Sequence, residues 1–282
     1  MLRKKVNNQA NNQANNQGIV QMNHRIKIAL MIGNSRLHWA KFSGAALQET
    51  WDTEHLTPDA AKQLSNQFKL SPVPVSLVLA SVVSPQAELW QNYPDLHIIT
   101  LDRLPLSGLY PTLGIDRALA VLGAGTELGW PILVIDTGTA ITFTGADINK
   151  CLVGGAILPG LALQFSSLAQ KTAALPLIKL PENLPPRWAM DTPQAIQSGI
   201  IYTLVAGIKD FIEDWLYHFP ESKVALTGGD RTFLLTYLKT LFPDLATPII
   251  EAPHTIFWGM REVILNSVSI GNYSSHQDND KI

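Results

Sequence analysis

One short pattern occurs twice in this chain, and it limits the fold more than any other feature. Ile28-Ala29-Leu30-Met31-Ile32 runs into Gly33-Asn34-Ser35 and leaves through Arg36-Leu37-His38-Trp39-Ala40-Lys41-Phe42. Ile132-Leu133-Val134-Ile135 runs into Asp136-Thr137-Gly138-Thr139 and leaves through Ala140-Ile141-Thr142-Phe143-Thr144. Each copy reads as a buried strand, a polar glycine turn and a second strand. Glycine lets the backbone come close to a ligand, and the adjacent amides and hydroxyls donate to phosphate oxygens. A third strand-to-turn element follows late, at Val224-Ala225-Leu226-Thr227-Gly228-Gly229-Asp230. Three such turns predict two similar domains closing on a nucleotide.

The length of 282 residues suits two domains of medium size. Charged residues are only 16% of the chain, against about 25% in an average soluble protein, which leaves material for large cores and an oligomer interface. The formal net charge is −2, and the basic residues form no dense block beyond Arg3-Lys4-Lys5, so no nucleic-acid partner is expected. A single cysteine, Cys151, excludes an internal disulfide and a CxxC metal knuckle. The histidines show no HExxH spacing, and no apolar run reaches the roughly 18 residues of a membrane span. A cytoplasmic protein without a membrane partner is the expectation. Residues 1–23, rich in Asn and Gln, lack the apolar core of a signal peptide and read as a disordered extension, with Met22 as an alternative start.

Strands are predicted at Lys27–Ile32, Leu37–Phe42, Leu77–Val83 and His97–Thr100, with helices over Thr57–Phe68 and after Pro85. The Pro- and Gly-containing Leu104–Gly114 reads as a crossing loop, and Asp116–Leu128 as a helix. Further strands are predicted at Ile132–Ile135, Ala140–Gly145, Gly155–Leu158 and Lys223–Thr227. Helices are predicted over Leu161–Lys171, from Thr192 toward Phe219, after Asp230 and near Ile256–Asn266. The proline-rich Leu175–Trp188 is not regular helix. This is an α/β pattern. The domain limits are residues 24–115 and 116–270, with a flexible tail at 271–282.

Asp136 ends a buried strand before a glycine turn, where a carboxylate holds a cation beside bound phosphates; an ordinary turn also favours Asp and Gly. Aligning Gly33 with Gly138 sets Met31 opposite Asp136, so the first turn lacks its carboxylate. A thioether does not hold a hard cation, so either the metal is held from elsewhere or this turn cradles phosphate alone. Gly114-Ile115-Asp116-Arg117 enters a helix. Its carboxylate suits acceptance of a hydroxyl proton and its guanidinium neutralisation of phosphate charge, while Asp116 also suits a helix cap. Gly123-Ala124-Gly125 imitates a dinucleotide fingerprint but lies within a helix, and no GxxxxGK[ST] occurs. Gly154-Gly155-Ala156-Ile157-Leu158-Pro159-Gly160 admits either a substrate or a packed strand, and Thr192 reads as an N-cap.

Taken together these motifs, with Thr172-Ala173-Ala174-Leu175-Pro176, Thr192 with Ala195-Ile196, and Thr227-Gly228-Gly229, resemble the type III pantothenate kinases of the actin, sugar kinase and Hsp70-like superfamily. The resemblance covers about Ile28 to Glu262. It implies two duplicated ribonuclease H-like (actin-like ATPase) domains with a central cleft, and ATP-dependent phosphorylation of pantothenate to 4′-phosphopantothenate at the start of coenzyme A synthesis. It implies a cytoplasmic homodimer that uses Mg2+ with ATP and a monovalent cation, K+ or NH4+. By the same resemblance Asp116 is the general base and Gly114, Ile115, Asp116 and Arg117 line the substrate site. Thr192 and Tyr110 contact substrate, and Asp136 holds the monovalent cation. ATP meets Met31, Ile32, Gly33, Asn34, Ser35, Arg36, Leu37, His38 and Thr139. The family begins its first turn with aspartate, where this chain has Met31, and it places a Tyr-x-Asn-Pro stretch before GxDR, where this chain has Gly108-Leu109-Tyr110-Pro111. Two other readings stand beside this one: a kinase for another hydroxylated substrate such as a sugar, and a degenerate homologue acting as a regulatory or accessory binding protein.

Overall fold

The computed structural model describes residues 26–245 and 248–274, so the Asn/Gln-rich extension and residues 275–282 of the expected tail lie outside the described residues. Packing groups the described residues into two units, one within residues 26–100 with 263–274 and the other within residues 101–262.

The first unit is built on a five-stranded sheet: β1 (Ile26–Ile32), β2 (Leu37–Ser43), β3 (Ala46–Thr53), β4 (Val75–Ser81) and β5 (Leu96–Ile98), in the order β3-β2-β1-β4-β5. β1 pairs antiparallel with β2 and parallel with β4. Being central, β1 is covered on both faces, and its continuous apolar run Ala29–Ile32 is buried throughout. Ile28, Leu30, Leu77 and Leu79 pack there with Trp39, which stacks on Trp51 and meets Trp90 edge-on. Helices α1 (Pro58–Lys69) and α2 (Ser84–Glu88) follow β3 and β4; Thr57 caps α1 by accepting from the Ala60 amide at 3.3 Å.

The second unit has β6 (Ile132–Thr137), β7 (Ala140–Ala146), β8 (Leu152–Pro159), β9 (Lys223–Thr227) and β10 (Ile249–Glu251), in the order β10-β9-β6-β7-β8. Read from its other edge, this order repeats that of the first sheet strand for strand. The pairings repeat as well: β6 is antiparallel to β7 and parallel to β9. The helices are α3 (Ile115–Leu128), α4 (Leu161–Lys171), α5 (Thr192–His218), α6 (Arg231–Leu241) and α7 (Thr255–Ser274), the last beginning in this unit. α5 sets Ile196, Ile200, Leu204, Ile208 and Ile212 into the core along one face. It is also long and apolar enough to cross a membrane by length and composition, with 44% of its most apolar window buried inside the protein. Each full burial of such an aliphatic side chain contributes about 1.5–3 kcal/mol.

Two local expectations change. The N-cap of α5 is Asp191, whose carboxylate accepts from the Gln194 amide at 2.8 Å; Thr192 is the first helical residue. The N-cap of α3 is Gly114, and Asp116 lies in the first turn with Oδ1 accepting from the Arg117 amide at 2.8 Å. The loop before α3 packs with the second unit: the Ser107 amide donates to Lys150 O at 3.1 Å and the Leu152 amide to Ser107 O at 2.9 Å. The second unit, which begins at residue 101, therefore includes this loop. The false fingerprint is a helix crossing. A Cβ on Gly123 would overlap Thr255 O of α7, and one on Gly259 would overlap Leu119 O of α3.

Candidate active site

Asp136 is the next-to-last residue of β6, in register with Thr142 of β7 and Thr227 of β9. Its Oδ1 lies against two glycine turns: a Cβ on Gly228 would stand 2.5 Å from it and one on Gly138 3.7 Å. Gly228 also adopts φ 89°, a conformation that side chains resist. The two turns are tied together. Thr137 Oγ1 donates to Thr227 O at 2.6 Å, and the Asp230 amide donates to Thr137 O at 3.0 Å. A third glycine joins them, because the Gly160 amide donates to Thr139 O at 2.9 Å and a Cβ there would overlap Gly138 O. The result is a surface of linked glycine turns at the carboxyl ends of the parallel strands β6 and β9, the usual ligand position of an open α/β sheet.

Charged groups at the rim hold this surface. Arg231 donates from Nη1 to Gly228 O at 2.9 Å. Its Nε lies 3.0 Å from Glu251 Oε1, an ion pair too bent to be a hydrogen bond. Burial raises the pKa of Asp230 above the ordinary aspartate value. The pKa of His254 is lowered, by burial first and by Arg231 second.

Asp116 and Arg117 sit on the first turn of α3. Gly114 leaves room for the Asp116 carboxylate, which a Cβ at that position would overlap. The Arg117 side chain is buried. It donates from Nε to Thr144 Oγ1 at 3.0 Å, from Nη1 to Tyr110 OH at 3.1 Å and from Nη2 to Phe143 O at 2.9 Å. All three acceptors are neutral. Tyr110 also lines a depression of about 370 Å³ with Leu101, Asp102, Leu104 and Leu106.

The first turn, in the other unit, is shaped by two histidines. The Gly33 amide donates to Arg36 O at 3.0 Å, and His55 Nε2 donates to Gly33 O at 2.8 Å. His38 donates from Nδ1 to Asp52 Oδ1 at 2.8 Å and turns Nε2 toward Gly33. Asn34, Ser35 and Arg36 are exposed. Met31, Ile32 and Leu37 are core residues, so they present only backbone at this turn.

The structure thus brings together Asp116, Arg117 and Tyr110, and separately Asp136 with the turn of Thr139. Thr192 is elsewhere, exposed in a groove of about 500 Å³ with Gln164, Leu168, Ala195 and Ile196. Sequence reasoning missed Asp52, His55, Thr144, Arg231 and Glu251. No local motif marks them; the Asp230 that follows Gly228-Gly229 was the one nearby signal.

The sequence profile of the type III pantothenate kinases matches residues 27–214. A type III pantothenate kinase of Nostoc sp. (strain PCC 7120) is 53% identical over 258 residues, covering 84% of this chain and 94% of that protein. One of Synechocystis sp. (strain PCC 6803) is 46% identical over 238 residues, covering 84% and 89%. Among solved structures, a Campylobacter jejuni protein described as belonging to a Baf family of transcriptional activators aligns with TM-score 0.60 and 21% identity, over 86% of this chain and 99% of that one. The Clostridium difficile activator of 2-hydroxyisocaproyl-CoA dehydratase, solved with ADPNP, aligns with TM-score 0.50 and 9% identity, over 91% and 99%. At those identities the structures speak for the fold alone, an α/β fold with two mixed sheets. The profile spans both strand–glycine turns and the Gly114–Arg117 stretch, and the relatives match over nearly their whole length; the chain belongs to the type III pantothenate kinase family.

Proposed function

We propose that this chain uses Mg-ATP to phosphorylate pantothenate, giving 4′-phosphopantothenate, the first step of coenzyme A synthesis. The observation that carries the site assignment is the pair on the first turn of α3. Arg117 is a buried cation whose guanidinium hydrogen bonds, among the described residues, all go to neutral oxygens, and Asp116 beside it is a half-buried carboxylate. A buried charge without a counter-ion is costly. An anionic group of the acceptor, or the transferred phosphoryl group, supplies the missing charge.

In this reading Asp116 accepts the proton of the pantothenate hydroxyl while that oxygen bonds to the γ-phosphorus and the bond to ADP breaks. Phosphoryl transfer needs mostly positioning and charge stabilisation. The amides and hydroxyls of Gly33–Arg36 and of Gly138–Thr139 meet the phosphates, and Tyr110, bonded to Arg117, contacts the acceptor.

Asp136 suits a monovalent cation, K+ or NH4+. Its Oδ1 stands beside the Gly138 and Gly228 turns, and a carboxylate oxygen is the kind of ligand that hard cations favour. Among the described residues no group of three ligating side chains exists, so the remaining ligands of such a cation are backbone carbonyls, water and the nucleotide.

The repeated strand order supports reading the two sheets as duplicated actin-like domains. A homodimer and a cytoplasmic location belong to the same proposal. The edge strand β8, which exposes Val153 and Ile157, supports the dimer.

The test is a coupled ADP-release assay with Mg-ATP and pantothenate, with and without K+. Pantothenate-dependent ADP release that rises with K+ is expected. Binding of ATP without pantothenate-dependent turnover would overturn the proposal.

A further inference from the structure

Arg117 reaches its position only because of what stands across from it on the sheet. The guanidinium lies over β7 and β8, where Thr144 Oγ1 takes Nε–H and Phe143 O takes an Nη2–H. In the register of these strands Thr144 faces Gly155 and Phe143 faces Ala156. A Cβ on Gly155 would overlap both Arg117 Nη2 and Phe143 O. No larger residue fits there without displacing the guanidinium. The glycine of the Gly154-Gly155 pair and the arginine after Gly114 are therefore halves of one device, although they lie on different elements.

The hydrogen bonds also set which donors remain. A guanidinium has five N–H groups in a rigid plane. Thr144, Tyr110 and Phe143 engage one each on Nε, Nη1 and Nη2. One N–H on each terminal nitrogen of this rigid fork is left for an anionic partner. Thr144 and Phe143 fix the rotation of that fork, since both lie in a sheet and are buried.

We propose that Gly155 and Thr144 are positioning residues that aim the guanidinium of Arg117 at an anionic acceptor, and so set the preference for a carboxylate-bearing substrate over an uncharged one. The inference rests on the reading of Arg117 as a substrate residue, and the variants separate the two.

The test compares kcat and KM for pantothenate and for its uncharged alcohol analogue, pantothenol, in wild type, Arg117→Gln, Thr144→Val, Thr144→Ser and Gly155→Ala. Thermal melts check that each variant folds. A guanidinium turned or shifted by about 1 Å costs up to about 10²-fold in kcat/KM. Thr144→Val and Gly155→Ala are expected to raise KM for pantothenate within that range, leave KM for ATP in place, and shrink the pantothenate-to-pantothenol preference. Thr144→Ser restores the acceptor and is expected to restore the preference. If Gly155→Ala fails to fold, the Thr144 pair decides. A folded Thr144→Val with unchanged preference, beside an impaired Arg117→Gln, overturns the inference and leaves the site intact. An unimpaired Arg117→Gln overturns both.

Discussion

Met31 and Asp136 hold the same position in two sheets of the same strand order. Each is the next-to-last paired residue of its central strand, Met31 facing His38 and Asp136 facing Thr142. Where the second turn has a carboxylate on the central strand, the first has a buried thioether, and its polar groups stand one and two strands away. His38 faces Asp52 of β3 in register and is hydrogen-bonded to it.

That displacement makes Asp52 the residue to test at the first turn. Asp52→Asn keeps an amide oxygen for the His38 ring but removes the charge that orients it. The expected outcome is a higher KM for ATP with kcat and KM for pantothenate little changed, and rescue by Asp52→Glu. Steady-state kinetics with each substrate varied decides it. An unchanged KM for ATP would show that the pair lies outside the nucleotide's reach.

Asp116→Asn isolates proton acceptance from architecture. The carboxylate oxygen that accepts from the Arg117 amide has a counterpart in asparagine, so the first turn of α3 keeps its hydrogen bond. Loss of a positioned base lowers kcat by roughly 10²–10⁴-fold. ATP binding, read by calorimetry or a fluorescent nucleotide, is expected to stay at the wild-type level. Turnover near wild type would remove Asp116 from the mechanism.

Central strands and glycine turns were legible because they are local. β1 and β6 are covered on both faces and read as continuous apolar runs. β3 and β10 were not legible. β3 is a largely exposed edge strand whose polar residues carry little period, and β10 has only three residues. The helix starts were misplaced by one or two residues, since Asp191 precedes Thr192 and a glycine capped α3. Within the site, Asp116, Asp136 and the glycine turns announce themselves in sequence. The partners of Arg117 do not, because Gly155 and Thr144 meet it only once β7 and β8 have paired. Asp52 is similarly hidden, since its relation to Gly33 passes through a neighbouring strand.

Asp136→Ala removes a carboxylate that stands beside both the Gly138 and Gly228 turns. If that carboxylate holds the monovalent cation, the variant loses most of the K+ response and needs more ATP for half-maximal rate. The measurement is rate against K+ concentration at fixed Mg-ATP, wild type and variant side by side. A K+ titration of wild-type shape in the variant would place the cation elsewhere.

Asp230 links the site to stability. Its carboxyl sits at the start of α6 with no capping hydrogen bond, and burial raises its pKa above the ordinary aspartate value. The helix dipole favours the anion there, but the desolvation cost is the larger effect. A carboxyl with a raised folded-state pKa contributes stability below its unfolded pKa of about 3.9, and that stability is lost as pH rises through the folded value. At neutral pH the ionised group therefore opposes folding, and Asp230→Asn is expected to be more stable than wild type at pH 7. The difference should shrink as pH falls through the carboxylate range, where Asp230 itself becomes neutral. Urea unfolding at a series of pH values tests this, and a variant less stable than wild type at pH 7 would show that the carboxylate is compensated. A group kept at such a cost beside the Gly228 turn is expected to serve the reaction, so the same variant should turn over more slowly while melting at a higher temperature.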